Sequence, residues 1–204
     1  VQKETQKWNE DASFVDAIST VLDGSEEILG TRIITLSGKF TKPFEEIKAA
    51  GNGFTVERVL YLEKNSAGKV IREVLEGGEE LAVGDKIIAE YRIWNEENRS
   101  FVRIKAPRTA SLRPVNQISG HYGWWLRPLP VAGWHTFSPH GYRSVLEDRT
   151  EYWFDSYPEE KTTVTEEFFV TQAGTFRMPV MEIESLYAPH YRANGSGQDP
   201  VVSK

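Results

Sequence analysis

Lys86–Trp94 (KIIAEYRIW) and, after the link Asn95–Ser100, Phe101–Lys105 (FVRIK) decide the fold. In the first segment Ile87, Ala89, Tyr91 and Ile93 fall on one side and the charged residues mostly on the other; the second alternates in the same way. Successive side chains of a strand point to opposite faces, so a period of two marks strands with one buried face. The short link suits a hairpin. Upstream, Phe54–Glu63 (FTVERVLYLE) reads as a strand. Asn65–Gly68 supplies turn chemistry and Val70–Val74 returns, a second hairpin. Gly77-Gly78 breaks the chain, and Val83-Gly84-Asp85 makes a tight entry into the deciding stretch. Downstream, regular patterning is lost from Pro107 to Tyr142. Tyr152–Phe154 is then a short aromatic strand, Thr162–Thr171 a longer one, and Thr175–Ser185 the last long one. Pro179 inside it marks an edge or a bulge, because proline cannot donate to a ladder.

Before residue 53 the pattern differs. Asp11 or Ser13 can cap a short amphipathic helix carrying Phe14, Ile18, Val21 and Leu22, closed by Gly24. Thr31–Leu36 reads as a strand, and Pro43–Gly53 holds a helical turn (FEEIKAA) before Gly51-Asn52-Gly53. The expectation is a mainly β chain, an antiparallel β-sandwich preceded by a short N-terminal helix that belongs to a neighbouring domain. The expected division is 1–52 as the tail of that domain with a linker strand, 53–197 as the sandwich, and 198–204 as a flexible tail following the glycines at 195 and 197.

Composition narrows the function. The 204 residues carry 24 bases and 30 acids, a formal charge of −6, so a globally basic nucleic-acid binder is excluded. With no cysteine, a disulfide scaffold, a cysteine nucleophile, a thiolate zinc site and a cysteine thioester within the chain are excluded. No run approaches the ~20 apolar residues of a membrane helix. There is no GxSxG elbow, P-loop or GxGxxG. His121, His135, His140 and His190 lack nearby acids to complete a metal set, and read as hydrogen-bonded loop residues. Glu166 and Glu167 are neighbours in a strand, face opposite ways and cannot pair; both read as solvated. No catalytic, cofactor or metal residue is expected.

One anomaly stands out. From Asn98 through Leu146 there is no acid, yet the stretch holds Arg99, Arg103, Lys105, Arg108, Arg113, Arg127 and Arg143 together with Tyr122, Trp124, Trp125, Trp134, Phe137 and Tyr142. Arginine and flat aromatics are enriched at interface hot spots. One reading is a contact surface made by Tyr122, Trp124, Trp125, Arg127, Trp134, His135, Tyr142 and Arg143. The other is that the tryptophans fill one end of the sandwich.

Several blocks resemble the C-terminal, macroglobulin-like MG10-type domain of bacterial alpha-2-macroglobulins: Leu81–Lys86, Phe101–Arg108 with Leu112–Val115, Gln117–Gly120, Gly141–Arg143, Tyr152–Asp155, Val170–Phe176 and Ser185–Tyr191. Their shared order over residues 81–191 carries the likeness. Glu4–Trp8 and Val15–Ile18 resemble the last helix of the thioester-type helical domain. The resemblance implies the C-terminal part of a much larger periplasmic or cell-envelope protease trap, reaching the membrane only through a distant lipid anchor. It implies a structural, non-enzymatic domain without cofactor or nucleic acid. Its partners would be the other domains of the same polypeptide, above all the thioester-type domain, with target proteases engaged through the full-length protein. The rival from the residues alone is a carbohydrate- or cell-wall-binding β-sandwich using the Arg/Trp-rich loop.

Overall fold

The computed structural model describes residues 43–66, 68–77, 79–122, 141–198 and 201–204. The chain divides into two compact units, Val1–Phe40 and Thr41–Lys204, and all described residues belong to the second. The expected helix over 11–24 and strand at Thr31–Leu36 lie outside the described residues.

Two large antiparallel sheets dominate. The seven-stranded sheet runs, edge to edge, β1 (Ala50–Asn52), β14 (Arg192–Asn194), β13 (Glu182–Ser185), β6 (Arg99–Pro107), β10 (Arg149–Tyr157), β9 (Gly141–Val145) and β8 (Gly120–Tyr122). The five-stranded sheet runs β3 (Lys69–Val74), β2 (Phe54–Ser66), β5 (Lys86–Asn95), β11 (Lys161–Val170) and β7 (Leu112–Pro114). A small third sheet joins β12 (Gly174–Phe176), β15 (Val201–Ser203) and β4 (Glu80–Leu81), with β15 and β4 parallel. The only helical turn among the described residues is 3-10, at Phe44–Glu46.

Alternation builds the core between the two large sheets. Ile87, Ala89, Tyr91 and Ile93 of β5 are buried together with Val164 and Phe168 of β11. Val102, Ile104 and Ala106 of β6 and Tyr152 and Phe154 of β10 meet them from the other sheet. The Tyr91 and Tyr152 rings touch edge to face at 6.4 Å. Each such aliphatic or aromatic side chain contributes roughly 1.5–3 kcal/mol on burial. The β2–β3 hairpin forms as its turn residues direct, with Gly68 at φ +78°.

Four expectations are corrected. The link Asn95–Ser100 does not close a hairpin, because β5 and β6 lie in opposite sheets. It is an arch across the sandwich, secured by the buried Asn95 side chain, whose Nδ2 donates to the carbonyls of Tyr157 (3.3 Å) and Pro158 (2.9 Å) on the β10–β11 arch. A hairpin and an arch carry the same period of two, so alternation cannot separate them. Secondly, Thr175–Ser185 is two strands. The segment around Pro179 leaves the third sheet after β12 and enters the seven-stranded sheet at β13. Thirdly, the C-terminus is held. Val202 of β15 pairs with Thr175 and Glu80, the Ser203 hydroxyl donates to Gln172 O at 2.6 Å, and Val201 is buried. The preceding glycines serve close approach: a Cβ at Gly197 would collide with the Phe44 carbonyl oxygen. The sheet also begins earlier than residue 53, since β1 pairs with β14.

Candidate interaction surface

Of the surface expected at residues 119–143, β8 and β9 lie at one edge of the seven-stranded sheet. β8 pairs antiparallel with β9, setting Gly120 opposite Arg143, His121 opposite Tyr142 and Tyr122 opposite Gly141. A Cβ at Gly141 would collide with the Trp153 carbonyl oxygen and with the Phe154 ring, so the strand lies against β10 there only because it is glycine. Trp124, Trp125, Arg127, Trp134 and His135 lie outside the described residues.

The described residues of the expected surface face two ways. Tyr142 is exposed and stands edge to face with the exposed His121 ring at 5.7 Å. Ile118, just before β8, is 77% exposed. Arg143 turns inward and is buried. Its Nη2 donates to Glu166 Oε1 at 2.8 Å and to Asn116 O at 2.8 Å, and its Nη1 to Ile118 O at 3.3 Å. Glu166 is buried too, which corrects the expectation that it is solvated; Glu167, on the opposite face, is half-buried beside Lys86 at 3.2 Å. Glu166 Oε1 also accepts from the Thr150 hydroxyl at 2.6 Å, and Oε2 from the Tyr91 hydroxyl at 3.3 Å. Burial, with Glu166 adding to it, pushes the Tyr91 phenol well above its usual range.

Two further arginines sit inside. Arg108 Nη1 donates to the Thr150 hydroxyl at 3.1 Å, and its Nη2 to the carbonyls of Leu146 and Glu147. Burial lowers its pKa. Arg58 is held by Gln198 Oε1 at 2.6 Å, Pro107 O at 2.9 Å and Pro179 O at 2.5 Å. Burial pulls its pKa down to about 10, so it stays charged at neutral pH.

Segregation of charge along the sequence is not segregation in space. Arg103 Nε meets Glu184 at 2.9 Å, Lys105 meets Glu182 at 3.4 Å and Arg143 meets Glu166. Arg99 is buried with its guanidinium 3.7 Å from the Tyr191 ring centroid. Acids from β11 and β13 thus neutralise bases from the acid-free stretch. The open side chains around β8 and β9 include the apolar Ile118 and Leu146 and the rings of His121 and Tyr142, among exposed polar residues such as Asn116, Gln117 and Glu147. Sequence reasoning missed Arg58, Arg108 and the Arg143–Glu166 pair. The signal for the last lay in β11, where Thr162, Val164, Phe168 and Val170 are inward and Glu166 shares their phase.

Other chemistry is sparse. His190 stacks on Tyr191 at 4.1 Å. No group of three or more potential metal ligands occurs among the described residues.

The described residues form a β-sandwich whose buried arginines and Glu166 bond one another and backbone carbonyls. A family model for the bacterial alpha-2-macroglobulin MG10 domain matches residues 53–190, and the chain belongs to that family. The fold is shared with Salmonella alpha-2-macroglobulin reacted with methylamine (TM-score 0.56, 16% identity, 77% of this chain and 10% of that chain). It is shared likewise with native Escherichia coli alpha-2-macroglobulin spanning domain MG7 to the C-terminus (0.54, 15%, 76% and 24%) and with the trypsin-activated Escherichia coli protein (0.54, 16%, 77% and 11%). The chain thus spans about a tenth of the length of the longer solved relatives. No curated protein matches it.

Proposed function

We propose that this domain is a structural and interaction module of a bacterial alpha-2-macroglobulin-like protease trap in the periplasm or cell envelope, and that it packs against a thioester-type helical domain of the same polypeptide through the β8–β9 end. The family match over 53–190 is the observation that carries this reading. The exposed Ile118, His121 and Tyr142 at the base of the tryptophan-rich segment support it, since aromatic residues supply large contact area at interface centres. The role is non-enzymatic: Arg58, Arg108, Arg143 and Glu166 hold one another or backbone carbonyls inside the fold. Proteases are engaged by the full-length protein. The test is protease capture by the parent protein with and without this domain. Capture as sodium-dodecyl-sulfate-resistant or size-shifted complexes by the intact protein, lost on deletion, supports the reading; undiminished capture by the deletion form contradicts it.

A further inference from the structure

We infer that Arg143 is the positioning residue of this contact surface, acting on it from inside. The inference rests on the reading above that the β8–β9 end is a contact surface. Three observations carry it. The Arg143 side chain is only 7% exposed, so it does not itself reach a partner. One side of its guanidinium is fixed by Glu166 on β11, a carboxylate held further by Thr150 and Tyr91. The Nη2 that bonds Glu166 also donates to the carbonyl of Asn116, and Nη1 donates to that of Ile118; both residues lead into β8. Arginine is suited to this because its planar fork can bond a carboxylate and carbonyls at once, whereas a lysine ammonium is a single point donor.

The consequence is a rigid base for an exposed feature. Ile118 is one of the most exposed large apolar side chains described, yet its own carbonyl is tied to a group that reaches the core. The next residue is tied as well: the Ser119 hydroxyl accepts from Val145 N at 2.9 Å. Holding a contact segment in its bound geometry beforehand removes ordering cost from association. Arg143 thereby connects the five-stranded sheet to the entry of β8 without contributing contact area.

The experiment separates positioning from simple stabilisation. Arg143→Lys keeps a charge opposite Glu166 but loses the fork. Arg143→Met/Glu166→Gln removes the charge pair, while the new side-chain amide still offers Thr150 and Tyr91 an acceptor. Amide hydrogen exchange is followed at Ile118, Gly120 and His121, with β5 amides as the global reference. The expected result is exchange at least tenfold faster at 118–121 in both variants, with β5 amides unchanged. Unchanged exchange at 118–121, or a rise equal to that in β5, overturns the inference. The same variants in the parent protein are probed by proteolysis between domains. Faster local exchange without any change in interdomain cleavage leaves Arg143 as the positioning residue and overturns the contact reading instead.

Discussion

Arg143 of β9 and Glu166 of β11 meet at 2.8 Å between the two large sheets, with side-chain exposures of 7% and 2%. Such a pair adds little when formed, because both ions lose their water, but breaking one side leaves a buried charge uncompensated. Glu166→Ala is therefore expected to cost about 3–5 kcal/mol in urea denaturation. The Arg143→Ala/Glu166→Ala double variant is expected to cost less than the sum of the two single variants, because the residues are coupled. Additive losses would show that the pair does not interact.

The buried Tyr91 phenol sets an alkaline limit. The unfolded chain releases this proton near pH 10, whereas the folded chain retains it well above that. The folded state then binds more protons, and stability falls as pH rises past about 10, by at most about 1.4 kcal/mol per pH unit from this group. Arg58 acts oppositely: its folded pKa of about 10 lies below the ordinary arginine value, so its contribution to stability rises as pH climbs from about 10 toward that value. Tyr91→Phe loses one hydrogen bond at neutral pH and is expected to flatten the alkaline decline measured from pH 9 to 11. An identical decline in both proteins contradicts the assignment.

The two glycines of the β8–β9 ladder are expected to respond differently. Gly141→Ala drives a methyl group into the Trp153 carbonyl and should cost roughly 1–3 kcal/mol by overpacking. Gly120→Ala meets nothing within 4 Å and should be neutral within about 0.5 kcal/mol. Thermal melts of the two single variants check the contrast.

Phe101 is the one non-glycine residue with positive φ (+53°) among the described residues, and its half-exposed ring stands edge to face on Tyr187 at 4.8 Å. Phe101→Gly and Phe101→Ala lose the same contact, but only glycine is free of the left-handed penalty. Phe101→Gly should be the more stable by roughly 1 kcal/mol; the reverse order would place the residue outside that backbone region in solution.

Much of the sandwich was legible because β2, β5 and β11 alternate cleanly and their turns carry Gly, Asn and Ser. The arches were not, since an inward-facing Ile93 and Val102 satisfy a hairpin and an arch alike. The held C-terminus was hidden for a different reason. Gly195 and Gly197 look flexible in sequence, yet Gly197 is fixed against Phe44, a residue from the far end of the described chain. The charge-rich stretch misled in a similar way, because Glu182, Glu184 and Glu166 return from distant strands to neutralise it. Only the phase of Glu166 among buried neighbours betrayed a core role. Of the residues named for the surface, Tyr142 is exposed and Arg143 is buried.

Under the proposed function, the segment between β8 and β9 contacts a neighbouring domain rather than completing this domain's core. The direct measurement is a Trp124→Ala/Trp134→Ala variant made both in this chain and in the parent protein. The expected result is an unfolding free energy in the chain within about 1 kcal/mol of the wild type, as for residues away from a core, with faster protease cleavage between domains in the parent. A loss of several kcal/mol in the chain alone, of the size that deleting buried tryptophans brings, would contradict it.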